Sequence, residues 1–282
     1  MARRRRRRSL KRPSIRTVFE TSPSPAWESF RKVAIVPAKD EAETVGAVVK
    51  ALLTVPVDEV LVVANGCTDD TAKVAAAAGA RVVEIAETLG HDVGRAVGAS
   101  LVDADIYLFT DADIVLPPSY FVPFINAVSQ GIDVALNDLD AIATPKSRLH
   151  IVNICKKFLN TAIGLEQLGI NSLTAIPHAL SRRAVRAIGA QNLAVPPRAM
   201  VLAHKAGLVM EGVASVNVNT LNRVRPWIHP PGLGPMDELI IGDHLEALAE
   251  IVKADGPRAR FRDVNRVRGR SLQRAIVETA RL

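Results

Sequence analysis

Two cysteines in 282 residues are too few for a disulfide framework, and neither Cys67 nor Cys155 belongs to a Cys-x-x-Cys pair, so reduced thiols follow. Aromatic residues are scarce as well, at 4%, and a core must come from the aliphatic and alanine residues that bring the hydrophobic content to 48%. No apolar run approaches the ~20 residues that cross a bilayer. No apolar stretch follows the basic start in the manner of a signal peptide. These absences lead to the expectation of a cytoplasmic protein, long enough for one large α/β domain or two small ones.

Acids are missing where cations are densest. Residues 1–16 hold nine of the 36 cations and no acid, and residues 253–282 hold nine cations against three acids. The intervening body, 17–252, is therefore net −8. A nucleic-acid enzyme needs a basic working face, so no specific nucleic acid is expected as a partner. Residues 1–28 are expected to be a disordered basic tail, because Arg3 to Arg8 repel one another and Pro13, Pro23 and Pro25 break helices. Such a tail can touch anionic lipid headgroups, at roughly 1 kcal/mol per cation. It can also act as a nucleic-acid arm or stay solvated.

From Lys32 onward, apolar runs alternate with helical spacings. Residues 33–36 (ended by Pro37), 59–64, 81–85, 106–109 and 132–136 read as buried strands. Between them, 42–53 has helical spacing through Val45, Val48, Val49 and Leu52; Thr68-Asp69-Asp70 caps an Ala-rich helix that ends at Gly79; and 90–102 is helical. Pro117 or Pro118 opens the next helix. This alternation predicts a mostly parallel sheet with right-handed crossovers. After Asp140 the rhythm changes. A long helix is predicted over 148–168, a short strand over 173–176, then a helix capped by Ser181 and another over 196–206. Strands at 208–210 and 214–218 lead into a Pro/Gly-rich loop over 219–237, followed by helices over 238–253 and 262–280. A loop of that length in a compact domain tends to be a lid or binding loop.

The chemistry concentrates in Asp111-Ala112-Asp113, directly after the apolar run 106–109. Chains leaving parallel strands enter the crevice where open α/β sheets bind ligands. Two carboxylates there suit a hard divalent cation that bridges to substrate phosphates, though the tripeptide alone also reads as a solvated turn. Further polar loops follow the same edge: Pro37-Ala38-Lys39-Asp40-Glu41, Asn65-Gly66-Cys67-Thr68-Asp69-Asp70 and Gly90-His91-Asp92-Val93-Gly94-Arg95. Asp40 and Glu41 equally suit a helix start, and Asp69 and Asp70 suit helix capping better than catalysis.

Four such segments in this order resemble the family 2 glycosyltransferases, closely over 32–140 and loosely over 173–218. The resemblance implies a GT-A-type, Rossmann-like α/β fold: a mostly parallel sheet flanked by helices, with a smaller mixed acceptor-side region. It implies a nucleotide-sugar-binding half over 29–140 and an acceptor-side half over 141–256, to which charge and spacing add a basic C-terminal helix over 257–282. It further implies a metal-dependent glycosyl transfer from a nucleotide-diphosphate sugar, UDP- or GDP-linked, to an acceptor hydroxyl. Mg²⁺ or Mn²⁺ is the implied cofactor, with Asp113 a direct ligand and Asp111 facing ribose and a metal-bound water. Pro37, Ala38 and Lys39 would pass alongside the base, with Glu41 at the end of that loop. Asn65 could read the edge of a uracil or guanine, and Arg95 could approach the nucleotide or its phosphates.

Two departures from the family pattern stand out. Ala64 replaces an aspartate. Ala194-Val195-Pro196-Pro197-Arg198 stands where an acidic pair, the usual general base, is expected. An inverting transfer needs a carboxylate near the acceptor hydroxyl. Asp237, Glu238 and Asp243 are the candidates, and a retaining reaction would need none. Arg223 and Arg225 could clamp phosphate, Trp227 could stack on a sugar, and His229 or His244 could complete a metal shell; His178 and His204 are weaker candidates. Arg262, Arg266, Arg270 and Arg274 form a cationic stripe on the last predicted helix. With the basic start, that stripe suits an anionic membrane surface, and a lipid-linked acceptor is one option. A nucleotide-sugar-binding module without turnover and a nucleic-acid-binding protein are the alternatives in function.

Overall fold

A computed structural model describes residues 26–218 and 233–264, and residues 266, 274, 276, 277 and 279 beyond them. A short 3₁₀ turn at Ala26–Ser29 leads into β1, Lys32–Ala38. Then follow α1 (Val45–Leu52), β2 (Glu59–Asn65), α2 (Thr71–Ala77), β3 (Arg81–Ile85), α3 (Val93–Leu101) and β4 (Ile106–Phe109). After a 3₁₀ turn come α4 (Val122–Ser129), β5 (Val134–Asn137), α5 (Pro145–Arg148), α6 (Ile151–Ile163), β6 (His178–Ser181), α7 (Arg182–Ile188), α8 (Pro196–Lys205), β7 (Met210–Ala214) and α9 (Pro235–Asp255).

The seven strands form one sheet in the order β3-β2-β1-β4-β6-β5-β7. β1 pairs in parallel with β2 and β4, and β2 with β3, so these strands end at one edge. β6 runs antiparallel to both neighbours, while β5 and β7 are parallel to each other. β5 therefore points the same way as β4, and its outgoing loop reaches the edge where Asp111 and Asp113 lie.

Strands buried on both faces explain the near-continuous apolar runs. Val33, Ile35, Leu61, Val63 and Phe109 pack on one side with α3 and α8; Ala34, Val36, Val62, Ile106 and Leu108 pack on the other with α1 and α4. Helix α3 lies unusually close to the sheet. A Cβ on Gly94 would come within 2.8 Å of the Pro37 side chain, and one on Gly98 would overlap Ile35. Only glycine admits this approach, and it seats the intervening Arg95 deep under the sheet edge.

The elements before residue 140 fall within a few residues of their predicted bounds. Later ones need correction. The predicted strand at 173–176 is a run of turns, and the strand is β6, beginning at His178. Pairing with β4 (Phe109 opposite His178) selects that register, which apolar content alone does not. The helix predicted over 148–168 is shorter: α6 stops at Gly164, whose φ of 86° takes the chain into the left-handed region. The strands predicted at 208–210 and 214–218 are one strand, β7. The predicted loop over 219–237 ends earlier, because Pro235 opens α9. Ser181 caps α7 as expected, its hydroxyl accepting from the Ala184 amide at 3.0 Å. Residues 26–28, expected in the disordered tail, form a 3₁₀ turn whose Trp27 packs against the core, and Arg262 and Arg266, expected on the last helix, are not helical; residues 1–25 and most of 265–282 lie outside the described residues.

Candidate active site

The loops that leave β1 and β2, open α3 and leave β4 surround an open pocket of about 320 Å³. All eight residues singled out in this half of the chain line it: Pro37, Ala38, Lys39, Glu41, Asn65, Arg95, Asp111 and Asp113. Thr88, His91 and Asp92 line it too. These three carried no role on sequence grounds; the signal available was an acid three positions before Arg95 at a helix start.

Cross-loop hydrogen bonds stiffen the wall. Lys39 donates to the Gly66 carbonyl. The Asp40 carboxylate accepts from the Thr68 amide (2.6 Å) and hydroxyl (3.1 Å), and the backbone donor is the main reason its pKa lies below the usual value. Asp69 accepts from the Ala42 amide at 3.0 Å and from the Thr71 amide at 3.0 Å, which supports its structural reading. Asn65 spends its amide on the chain as well, donating to the Gly90 carbonyl (2.9 Å) and accepting from the Leu89 amide (2.8 Å). One donor and one lone pair remain for a ligand.

Arg95 is only 4% exposed. One guanidinium nitrogen lies 2.6 Å from Asp92 Oδ1, and another donates to Asp111 Oδ1 at 2.9 Å. Burial disfavours the charge, yet the two carboxylates outweigh it and raise the pKa further. Behind it sits His178, stacked on Phe109 with ring centroids 5.0 Å apart and its Nδ1 2.8 Å from the Ala175 carbonyl. Burial, and then the Arg95 charge, lower the His178 pKa to about 3, so the ring is neutral. Arg95 thus lines the pocket with a guanidinium already engaged by two carboxylates of the protein.

The three acids offered as bases separate clearly. Asp237 is buried at the start of α9, where its Oδ2 accepts from the Gly234 amide at 3.0 Å and its Oδ1 lies 3.8 Å from His150 Nε2. Glu238 is exposed. Asp243 is half-buried, and its pKa is raised to about 6 by burial first and then by the Asp92 and Glu246 charges, partly countered by His91. None of the three acids lines the pocket, but Asp92 and His91, whose charges act on Asp243, do. His244 does not line the pocket. Its Nδ1 lies 2.7 Å from the Ile240 carbonyl, and its buried ring is electrostatically coupled to Lys156. Arg223, Arg225, Trp227 and His229 lie outside the described residues. Arg198, in place of the expected acidic pair, binds Glu250 at 3.0 Å and approaches Glu246 at 3.6 Å, fastening α8 to α9.

Beyond Asp113, a net of asparagines holds the loops in place. Asn137, fully buried, donates to the Ile176 and Val216 carbonyls (2.7 and 2.9 Å) and accepts from the Val216 amide at 2.8 Å. Asn171 accepts from the Asp140 amide and donates to Asp138. Asn160 donates to the Gly169 and Asn171 carbonyls.

A crevice at the carboxyl edge of a mostly parallel sheet, with two carboxylates at the end of the central β4, defines a GT-A-type fold. The glycosyl transferase family 2 profile matches residues 33–185, more than half of the chain. The chain belongs to that family. It is 35% identical over 130 residues to glucosyl-3-phosphoglycerate synthase of Mycolicibacterium paratuberculosis, covering 42% of this chain and 38% of that protein. It is 41% identical over 111 residues to the synthase of the same name from Mycolicibacterium smegmatis, covering 35% and 36%. These matches thus span less than two-fifths of either relative. The crystal structure of glucosyl-3-phosphoglycerate synthase from Mycobacterium tuberculosis in complex with Mn²⁺, UDP and phosphoglyceric acid has the same fold, with a TM-score of 0.58, 20% identity, and coverage of 85% of this chain and 82% of that one.

Proposed function

We propose that this protein transfers a glucosyl group from UDP-glucose to the hydroxyl of a small phosphorylated acid such as 3-phosphoglycerate, with Mn²⁺ or Mg²⁺ as cofactor. The observation that carries the reading is the convergence of the four loops on one pocket with Asp111 and Asp113 among its lining residues. The donor set fits a hard cation: two carboxylates, no thiol, on a loop from a buried strand. Asp113 would be the direct ligand, with Asp111, already paired to Arg95, the weaker one. Bound there, the cation would offset the charge that grows on the leaving diphosphate.

The residues of the chain divide the remaining work. Pro37 and Ala38 offer a flat apolar wall to the base, and Asn65 keeps one amide N–H for its edge. Lys39 and His91 bring donors to the pocket rim. Asp243 is the base this reading offers for an acceptor hydroxyl, since a carboxylate with a pKa near 6 is ionised at neutral pH and still basic enough to take a proton. The synthases named above support a small anionic acceptor over the lipid-linked one considered from the sequence, and no described helix is long and apolar enough to cross a membrane.

The test is direct. Purified protein with Mn²⁺, UDP-glucose and 3-phosphoglycerate should release UDP and form a glucosylated acid detectable by mass spectrometry. Activity should fall as pH drops through about 6, and Asp243→Asn should abolish turnover across that range. A variant with unaltered rate and pH profile would remove the base role and leave a transfer that needs no enzyme carboxylate. No product with any nucleotide sugar would leave a binding module.

A further inference from the structure

Arg95 carries more than a structural duty. Its planar fork is divided between two carboxylates from different loops, Asp92 at the start of α3 and Asp111 at the end of β4. His178, which feels the Arg95 charge, is neutral and supplies no counter-charge. The Asp111 side chain, by contrast, keeps 30% of its surface exposed and lines the pocket. One end of the ion pair is therefore sealed, and the other faces the site.

This arrangement changes what the acidic pair can hold. Two unopposed carboxylates attract a free divalent cation strongly, whereas a carboxylate already neutralised by a guanidinium at 2.9 Å attracts it much less. We infer that Arg95 is a positioning residue that keeps Asp111 charge-neutralised, so that the divalent cation is held firmly only when a nucleoside diphosphate adds its own oxygens. Cation and nucleotide then favour each other's binding by one and the same factor, as linkage requires. Asp92 sets the strength of the effect, because it competes with Asp111 for the same guanidinium. The inference rests on the proposed cation-dependent site.

Mn²⁺ binding to the full chain, followed by electron paramagnetic resonance without nucleotide, reads this out independently of turnover. Arg95→Gln should bind free Mn²⁺ on the order of tenfold more tightly, and the factor by which UDP improves Mn²⁺ affinity should shrink correspondingly. Asp92→Asn, which releases the guanidinium to Asp111 alone, should shift free Mn²⁺ affinity the opposite way. Arg95→Lys should not restore wild-type behaviour, since an ammonium cannot bridge both acids. Opposite shifts support the inference, because a merely structural role would weaken binding in both variants. Shifts of the same sign, or none, overturn it. If Arg95→Gln fails to fold, Arg95→Met, which keeps the stem and removes the charge, takes its place: tighter free Mn²⁺ binding supports the inference, and unchanged or weaker binding overturns it. Absence of Mn²⁺ and UDP binding in the wild type would instead overturn the proposed function itself.

Discussion

The two halves of the sheet are built by different rules. In the first half, β1 to β4 follow one another with helical crossovers, and each loop arrives at the same edge because each strand is parallel to its neighbour. Chemistry there is carried by short motifs at strand ends. In the second half, β6 is inserted antiparallel between β4 and β5, so the edge is assembled from segments far apart in the chain. Shape there depends on buried asparagines that bridge backbone groups up to 79 residues away. One half places its loops by topology, and the other by side-chain hydrogen bonds.

That difference predicts different failures. Asp113→Ala should abolish transfer, on the order of a 10³-fold loss in kcat, with the thermal midpoint almost unchanged. Loss of folding in that variant, seen by circular dichroism, would erase the contrast. Asn137→Ala should do the reverse, destabilising the protein by about 3 kcal/mol because a buried amide and two carbonyls lose their partner. Urea denaturation would show it as a lower midpoint with an unchanged slope.

Lys156 sharpens the comparison from the other direction. It is buried on α6, and desolvation lowers its pKa from 10.5 to about 8. Below pH 8 it is charged in both folded and unfolded chains, and the cost is constant. Between about 8 and 10.5 the unfolded chain binds the extra proton, so this residue makes stability rise with pH through that window. Lys156→Met should remove the slope and stabilise the neutral-pH protein by roughly 1–3 kcal/mol. A slope that survives the substitution would show that other groups produce it. The smallest effect is expected at Gly98→Ala, where the new methyl meets Ile35 and forces α3 outward. It should cost about 1–2 kcal/mol and weaken UDP binding through the displaced Arg95.

The same division explains what could be read from the sequence. Strands β1 to β4 and their loops are legible because apolar runs, glycine stops and acidic loop ends are local signals, and the first three strands are successive neighbours, with β4 returning beside β1. The pairing of Asp111 and Asp92 through Arg95 was not legible as such. The residues are conspicuous, but only the close seating of α3 over Gly94 and Gly98 buries the arginine between the two carboxylates at the pocket wall. The place of His178 near Arg95 was not legible because it depends on β6 lying beside β4, a pairing between positions 69 residues apart. The displaced strands after residue 170 have the same origin: Leu173 to Ile176 is apolar enough for a strand, yet Asn137 uses the Ile176 carbonyl and fixes a turn there. Among the three candidate acids, Asp243 is distinguished only by α9 returning to the His91–Asp92 loop.

The central claim is that Asp113 and its partner hold a divalent cation that in turn holds the nucleotide. Calorimetric titration of UDP into the wild type and Asp113→Ala, each with and without Mn²⁺, tests it most directly. Tight binding only in the wild type with Mn²⁺ is the predicted result. Equal affinity in all four titrations would contradict it.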